Sequence, residues 1–368
     1  MYLMRWLIVV ATTFLVLTSA QNQPLLSTIA TIPALATFSS VLNVTGGNKP
    51  NPALEERFNS ALDRRNYTAL VPTNEVRGLE CQQHLEPLTD LSCQAFAKVS
   101  PNLVDILTAA PAYPILESIL RTHIAEGLVT SANIISASPV VAIEGFPLVA
   151  QSNGAVSVFI NDQARIVAVD TFSLNGVVHQ IDQVLNPFTA YFGVSNATTA
   201  PQTSDTYGTI ADILLNDERL TNIRDVLLTL HPEFVHGRLQ LSKPDGGLQI
   251  FAAPSNDAFA AAPPGTVDNS KAPSNQPLSL QLFTFGLLNS DTKYEDLDFS
   301  AGPVQVASAF TYINVTVKQT PGAATLLNNA AIQAQVCGQT NGCVWILDRI
   351  LDPLYMAFGP SSRGSASI

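Results

Sequence analysis

Two short apolar runs organise this chain, and both end in the same way. Tyr67-Thr68-Ala69-Leu70-Val71 runs into Pro72-Thr73-Asn74, and Leu248-Gln249-Ile250-Phe251-Ala252-Ala253 runs into Pro254-Ser255-Asn256. Each reads as a strand stopped by proline, which cannot donate to a ladder, followed by a residue able to cap a helix. A second pattern recurs farther on, where Val178 to Pro187 (VHQIDQVLNP) matches Val344 to Pro353 (VWILDRILDP). In the first of these, Val177, His179 and Ile181 share one face of a strand, and Val178, Gln180 and Asp182 share the other. The two patterns recur in the same order, so the chain is a tandem duplication.

Helical stripes fill the spaces between these strands. Ser100-Pro101 and Tyr113-Pro114 place proline at a first helical position, and Ile115, Leu116, Ile119, Leu120 and His123 then line one side. In the second copy Leu278, Leu282 and Phe285 follow Pro277, and Leu220, Ile223, Leu227 and Leu230 predict an earlier helix. Phe259 is expected to enter the core from the first turn after Ser255. Residues 189–206 are rich in Thr, Ser and Ala and read as an exposed linker.

The copies differ in spacing. Pro72 lies 51 residues before His123, while Pro254 lies 31 residues before Phe285, taken as its counterpart. The excess falls near residues 75–94, an insertion that contains Cys81 and Cys93. The other two cysteines, Cys337 and Cys343, flank the start of the last strand of copy two. Neither pair has the spacing of a zinc or thioredoxin site, so structural disulfides are the better reading. Of the three possible connectivities, local pairing is favoured because each copy holds one pair.

These ordered boxes resemble the fasciclin-like (FAS1) domain family. The resemblance rests on Ala253-Pro254-Ser255-Asn256-Asp257-Ala258-Phe259, on Leu120 to Gly127 with Thr130 to Ile134, on Val158 to Asn161, and on Asn175 to Leu185. It covers residues 26–188 as a first domain and 207–356 as a second, with a polar tail at 357–368. It implies an α+β fold, each domain a β-sandwich-like wedge packed with helices. It also implies cell adhesion or association with an extracellular matrix or cell wall, through protein or carbohydrate partners.

Pro72, Asn74, His123, His179, Pro254 and Asn256 are then motif residues with structural roles. His123 and His179 stand at family-typical positions, where a ligand, metal or proton site competes with a simple packing role. Copy two carries Phe285 and Trp345 at the matched places, which favours packing. The family's adhesive motif often has Tyr before this His, whereas Thr122 precedes it here, and the chain has no Arg-Gly-Asp triplet.

Composition sets the compartment. Residues 1–20 read as a secretory signal peptide: Arg5, an apolar stretch from Trp6 to Leu17, then Thr18-Ser19-Ala20 at the cleavage point. Sequons at Asn43, Asn66, Asn196 and Asn314 behind it predict a glycoprotein. Charged residues are only 13% of the chain and the net charge is −11, which argues against nucleic acid and anionic membrane surfaces as partners. No span long enough to cross a membrane follows the signal. The chain is expected outside the cell, in a wall or matrix, ahead of a vacuole-like lumen.

Neither H-E-x-x-H nor G-x-S-x-G occurs, so no catalytic residue, cofactor or metal is assigned. Two other readings compete with adhesion. One is a carrier of an apolar, carotenoid-like molecule, which calls for a large continuous apolar pocket. The other, ranked last, is a hydrolase using His123 or His179.

Overall fold

Tyr67–Pro72 forms β1, and every side chain along it is buried, as a continuous apolar run requires when both faces of a strand are covered. The computed structural model describes residues 23–43, 58, 65–74, 107, 109, 112–152, 157–206, 208–242, 248–289, 293, 296–310, 313–319 and 324–358. The expected signal peptide at 1–20, the expected insertion near 75–94 with Cys81 and Cys93, and residues 359–368 of the expected 357–368 tail lie outside the described residues. The chain divides into two compact units between Pro187 and Phe188.

After β1, the first unit contains β2 (Ile124–Glu126), β3 (Val140–Val141), β4 (Pro147–Leu148), β5 (Ala150–Ser152), β6 (Val158–Ile160), β7 (Ala164–Ser173) and β8 (Gly176–Ile181). Its main sheet has the order β2-β1-β8-β7-β6-β5, and β3 and β4 form a separate pair. β1 and β8 run parallel, from Tyr67 opposite Gly176 to Pro72 opposite Ile181. Leu70, Ile134, Ala142, Leu148, Ile160, Ile181 and Leu185 pack into one core cluster. The helix Tyr113–Thr122 buries Ile115, Leu116, Ile119 and Leu120, the predicted stripe, and has proline in its first turn.

The second unit contains β9 (Gln202–Thr206), β10 (Gln249–Pro254), β11 (Leu287–Leu288), β12 (Val304–Val306), β13 (Val315–Gln319), β14 (Thr325–Leu327), β15 (Ala330–Gly338) and β16 (Gly342–Leu347). The order is β11-β10-β16-β15-β14-β13-β12, with β9 added to β15. β10 and β16 repeat the parallel pair in the same register, Gln249 opposite Gly342 and Pro254 opposite Leu347. Pro72 and Pro254 therefore hold equivalent places. Both units combine helices with largely antiparallel sheets, an α+β architecture.

Three details differ from the sequence reading. The 189–206 stretch ends in a strand: the side chains of Gln202 to Asp205 are exposed, but the backbone pairs with β15. Its Thr and Ser residues suit an extended edge as well as a flexible connection. In the helix Gln276–Phe285 the buried residues are Ser279, Phe283 and Phe285, while Leu278 and Leu282 are only half-buried. The apolar pairs in that helix point along more than one direction, so the stripe was ambiguous.

The third concerns the partner of His123. Leu70 N–H donates to the His123 carbonyl at 2.8 Å, and the equivalent Ala252 N–H donates to the Gly286 carbonyl at 2.7 Å. The backbone counterpart of His123 is therefore Gly286, one residue beyond Phe285. His179 and Trp345 do correspond, lying opposite Leu70 and Ala252 at the same register step.

Candidate functional site

His123 follows the helix Tyr113–Thr122 as its C-cap and is fully buried. Its Nε2 accepts from the Leu185 N–H at 3.0 Å, which leaves Nδ1–H to donate to the Ile119 carbonyl at 2.7 Å. That arrangement requires the neutral ring. Burial lowers its pKa to about 4, against the opposing pull of the Ile119 carbonyl. Phe38 packs against the ring with centroids 5.6 Å apart.

His179, on β8, uses the opposite tautomer. The Asp170 N–H donates to Nδ1 at 3.3 Å, so Nε2–H donates to the Val129 carbonyl at 2.8 Å. All four ring nitrogens of the two histidines are thus occupied by backbone groups. Among the described residues no three His, Cys, Asp or Glu side chains converge as a metal site would require.

A serine, an aspartate and His179 do meet. Ser131 gives both its N–H, at 2.9 Å, and its hydroxyl to the Asp170 carboxylate. The order is wrong for acyl transfer, where histidine must stand between serine and aspartate and take the hydroxyl proton. Here the serine bonds the aspartate directly and the histidine's Nε2 is committed to a carbonyl. The cluster ties the segment after β2 to β7 and β8.

The motif asparagines reach farther than a local turn. Asn74 accepts from the Thr37 N–H at 2.9 Å and donates to the Pro33 carbonyl at 2.8 Å. Asn256 accepts from the Asn222 N–H at 3.0 Å and donates to the Glu218 carbonyl at 2.8 Å. Each satisfies the free groups at the start of a helix that begins more than thirty residues earlier in the chain. Ser255 caps the next helix instead, accepting from Ala258 N–H at 3.1 Å, and Phe259 is buried as expected.

A second asparagine pair was not recognised as a pair. Asn175 accepts from Leu25 N–H at 2.8 Å and donates to the Phe58 carbonyl at 3.1 Å. Asn341 accepts from Ile210 N–H and donates to the Leu239 carbonyl, both at 2.8 Å. Each precedes a glycine, and a Cβ on Gly176 or Gly342 would lie 2.4 Å or 1.8 Å from a carbonyl of the facing strand. The shared Asn-Gly dipeptide was the available signal. Asp182 and Asp348 likewise take equivalent roles, each accepting a backbone N–H of the neighbouring strand at 2.7 Å.

Another buried acid escaped sequence reading. Glu144 sits between β3 and β4, and Arg121 Nε is 3.1 Å from its Oε2. Burial raises its pKa, while Arg121 opposes that shift. The pair fastens the end of the helix Tyr113–Thr122 to the loop.

Cys337 and Cys343 are joined across β15 and β16, where they face each other directly. Asn66, Asn196 and Asn314 are exposed, and Asn43 closes the helix Ala36–Asn43. The second unit has an open surface recess of about 480 Å³. Phe234, Leu280, Leu287 and Ala309 line it beside Glu233, Arg238, Thr284 and Asn289, a mixed wall rather than a continuous apolar one.

No curated protein matches this sequence. Among solved structures, a FAS1 domain pair from the insect cell adhesion molecule Fasciclin I is similar, at 17% identity, over 86% of this chain and 96% of that one, with a TM-score of 0.31. The sequence profile of the fasciclin domain matches residues 92–187 and again 235–353. With both matches falling one in each unit and together covering more than half of its length, this chain belongs to the fasciclin domain family, as a tandem of two FAS1 domains.

Proposed function

We propose that this chain is a secreted glycoprotein that mediates cell adhesion, or association with an extracellular matrix or cell wall, through its two FAS1 domains. The observation that carries this reading is the use made of the family boxes in both units. Their asparagines hold helix starts, and the two histidines of the first unit bond only backbone, leaving the surfaces for contact. Exposure of Asn66, Asn196 and Asn314 supports glycan attachment, and the Cys337–Cys343 bond suits an oxidising compartment. Among the described residues no single helix is long and apolar enough to cross a membrane. We assign no reaction to the chain.

The test is attachment of cells and matrix to the immobilised full-length mature protein, against a non-adhesive control of similar charge. Binding above that control is expected, and it should survive replacement of both His123 and His179 by glutamine in any variant that folds. Attachment equal to the control overturns the proposal.

A further inference from the structure

The two units treat the outer edge of one equivalent strand differently. In the second unit β9 covers β15 in parallel, from Gln202 opposite Ala334 to Thr206 opposite Gly338. Just beyond, Thr340 N–H donates to the Gly208 carbonyl at 3.3 Å. The first unit repeats this last contact, with Leu174 N–H donating to the Gln23 carbonyl at 2.8 Å. Leu174 precedes Asn175 as Thr340 precedes Asn341.

The covering strand is not repeated among the described residues. β7 pairs with β6 only at Ala164 and Arg165, and its outer edge from Ala168 to Ser173 has no strand beside it. Val167, Val169, Phe172 and Leu174 along this stretch are 41%, 50%, 38% and 48% exposed, whereas Gln335 and Cys337 in the corresponding part of β15 are buried. Soluble proteins usually blunt such an edge with lysine, proline, a kink or a covering segment. Residues 166–174 contain no lysine or proline; the strand is irregular against β8 at two places, between Ile166 and Ala168 and between Ala168 and Thr171, the second holding the left-handed Asp170 with φ of 58°.

β9 ends two residues before Gly208; the same offset from Gln23 would place a covering strand at residues 17–21. The cleavage expected after Ala20 would leave only Gln21 and Asn22 ahead of Gln23, too few for a strand of five residues.

We propose that the β7 edge of the mature protein, Ala168–Ser173, is a strand-addition site. It takes an extended, proline-free segment of a partner protein, which runs parallel to β7 as β9 runs along β15. The segment carries apolar side chains at alternate positions, set against Val167, Val169, Phe172 and Leu174. Main-chain hydrogen bonds supply the affinity and the apolar row supplies the selectivity. This rests on the secreted, adhesive reading and narrows the partner of the first unit to protein.

The test uses the chain beginning at Gln21 and a synthetic eight-residue peptide in which valine and threonine alternate (VTVTVTVT). A control peptide of the same length carries proline in place of its fourth and sixth residues. Hydrogen exchange should show new protection, with the first peptide and not with the control, of those amides in 168–173 that bond neither β8 nor His179. Val169→Lys combined with Phe172→Lys, both at exposed positions, should weaken binding by about tenfold or more while leaving thermal unfolding unchanged. Full protection of these amides before peptide is added, no protection after it, or equal binding by the lysine variant overturns the proposal. Adhesion separates the two readings. A lysine variant that adheres as well as wild type refutes the edge and leaves adhesion standing. Wild type that protects β7 but does not adhere refutes adhesion alone.

Discussion

In the first unit His179 holds a strand crossing by bonding the Val129 carbonyl and the Asp170 N–H. In the second, Trp345 at the same register position fills the space with an indole and keeps one hydrogen bond, Nε1–H to Gln335 at 2.8 Å. Both side chains are fully buried. The imidazole stabilises through two directed bonds to backbone and contributes little area; the indole stabilises through area and needs only one partner. One joint of the fold thus tolerates a polar or an apolar filling, provided every buried polar atom finds a partner. That tolerance explains why His179 can be dispensed with in the second copy, and it weakens any reading in which this histidine does chemistry.

The largest test of the comparison is Trp345→Ala. Truncating a fully buried tryptophan costs about 3–5 kcal/mol, and it also removes the Nε1–H bond to the Gln335 side-chain oxygen. His179→Ala should cost less, about 1–3 kcal/mol, mostly from two unpaired backbone groups. Calorimetry of the full-length protein should show the second unit's transition falling farther after Trp345→Ala than the first unit's after His179→Ala. The reverse order would mean that directed bonds, rather than area, dominate this joint.

Acid should separate the units next. His123 has a folded-state pKa of about 4, below its unfolded value near 6.5. The unfolded chain therefore binds the extra proton first as pH falls. The stability due to the neutral ring is complete above about pH 6.5 and is lost as pH falls toward 4, on the order of 3 kcal/mol in all. The second unit lacks this histidine but has His231, whose pKa burial also lowers, so its own slope should be present yet separable. Trp6 and Trp345 are the chain's two tryptophans, so a chain beginning at Gln21 keeps Trp345 alone as a fluorescent reporter of the second unit. His123→Gln should flatten the acid slope of the first unit's calorimetric transition and leave the Trp345 fluorescence transition unmoved. An unchanged slope in the first unit would show that another group controls it.

The duplication was legible because its marks are local. A strand ending in Pro-[Ser/Thr]-Asn and a closing strand followed five residues on by Asn-Pro or Asp-Pro are fixed by backbone chemistry that survives sequence drift. Which strands pair was not among them: the parallel pairing of β1 with β8 and of β10 with β16, in one shared register, came from the structure. Long-range polar contacts were less legible. Nothing near Asn74 or Asn256 names the helix each will hold, and the Asn175 and Asn341 clamps depend on partners more than one hundred residues away. The equivalence of His123 with Phe285 failed by one residue because an aromatic ring was a better sequence match than Gly286, whose role is defined only by its carbonyl. β9 was hidden for a related reason: Gln-Thr-Ser-Asp-Thr has no apolar alternation, since its backbone is paired while its side chains stay in water.

The smallest effect divides the labour inside one box. Ser255 and Asn256 are adjacent, yet Ser255 caps the helix that follows and Asn256 holds the helix Thr221–Leu230. Ser255 has the extended backbone of an N-cap, φ −71° and ψ 169°, and its hydroxyl oxygen accepts from Ala258 N–H. Ser255→Ala should therefore lower the second unit's stability by about 1 kcal/mol, and Ser255→Gly by only a few tenths. Ser255→Thr, the residue found at this step of the first unit as Thr73, should be nearly silent because its hydroxyl can make the same bond. Chemical denaturation followed by Trp345 fluorescence reads all three variants in the second unit alone. A threonine variant as damaged as the alanine variant would mean that the extra methyl is excluded there. The two copies of the box would then be interchangeable in sequence but not in packing.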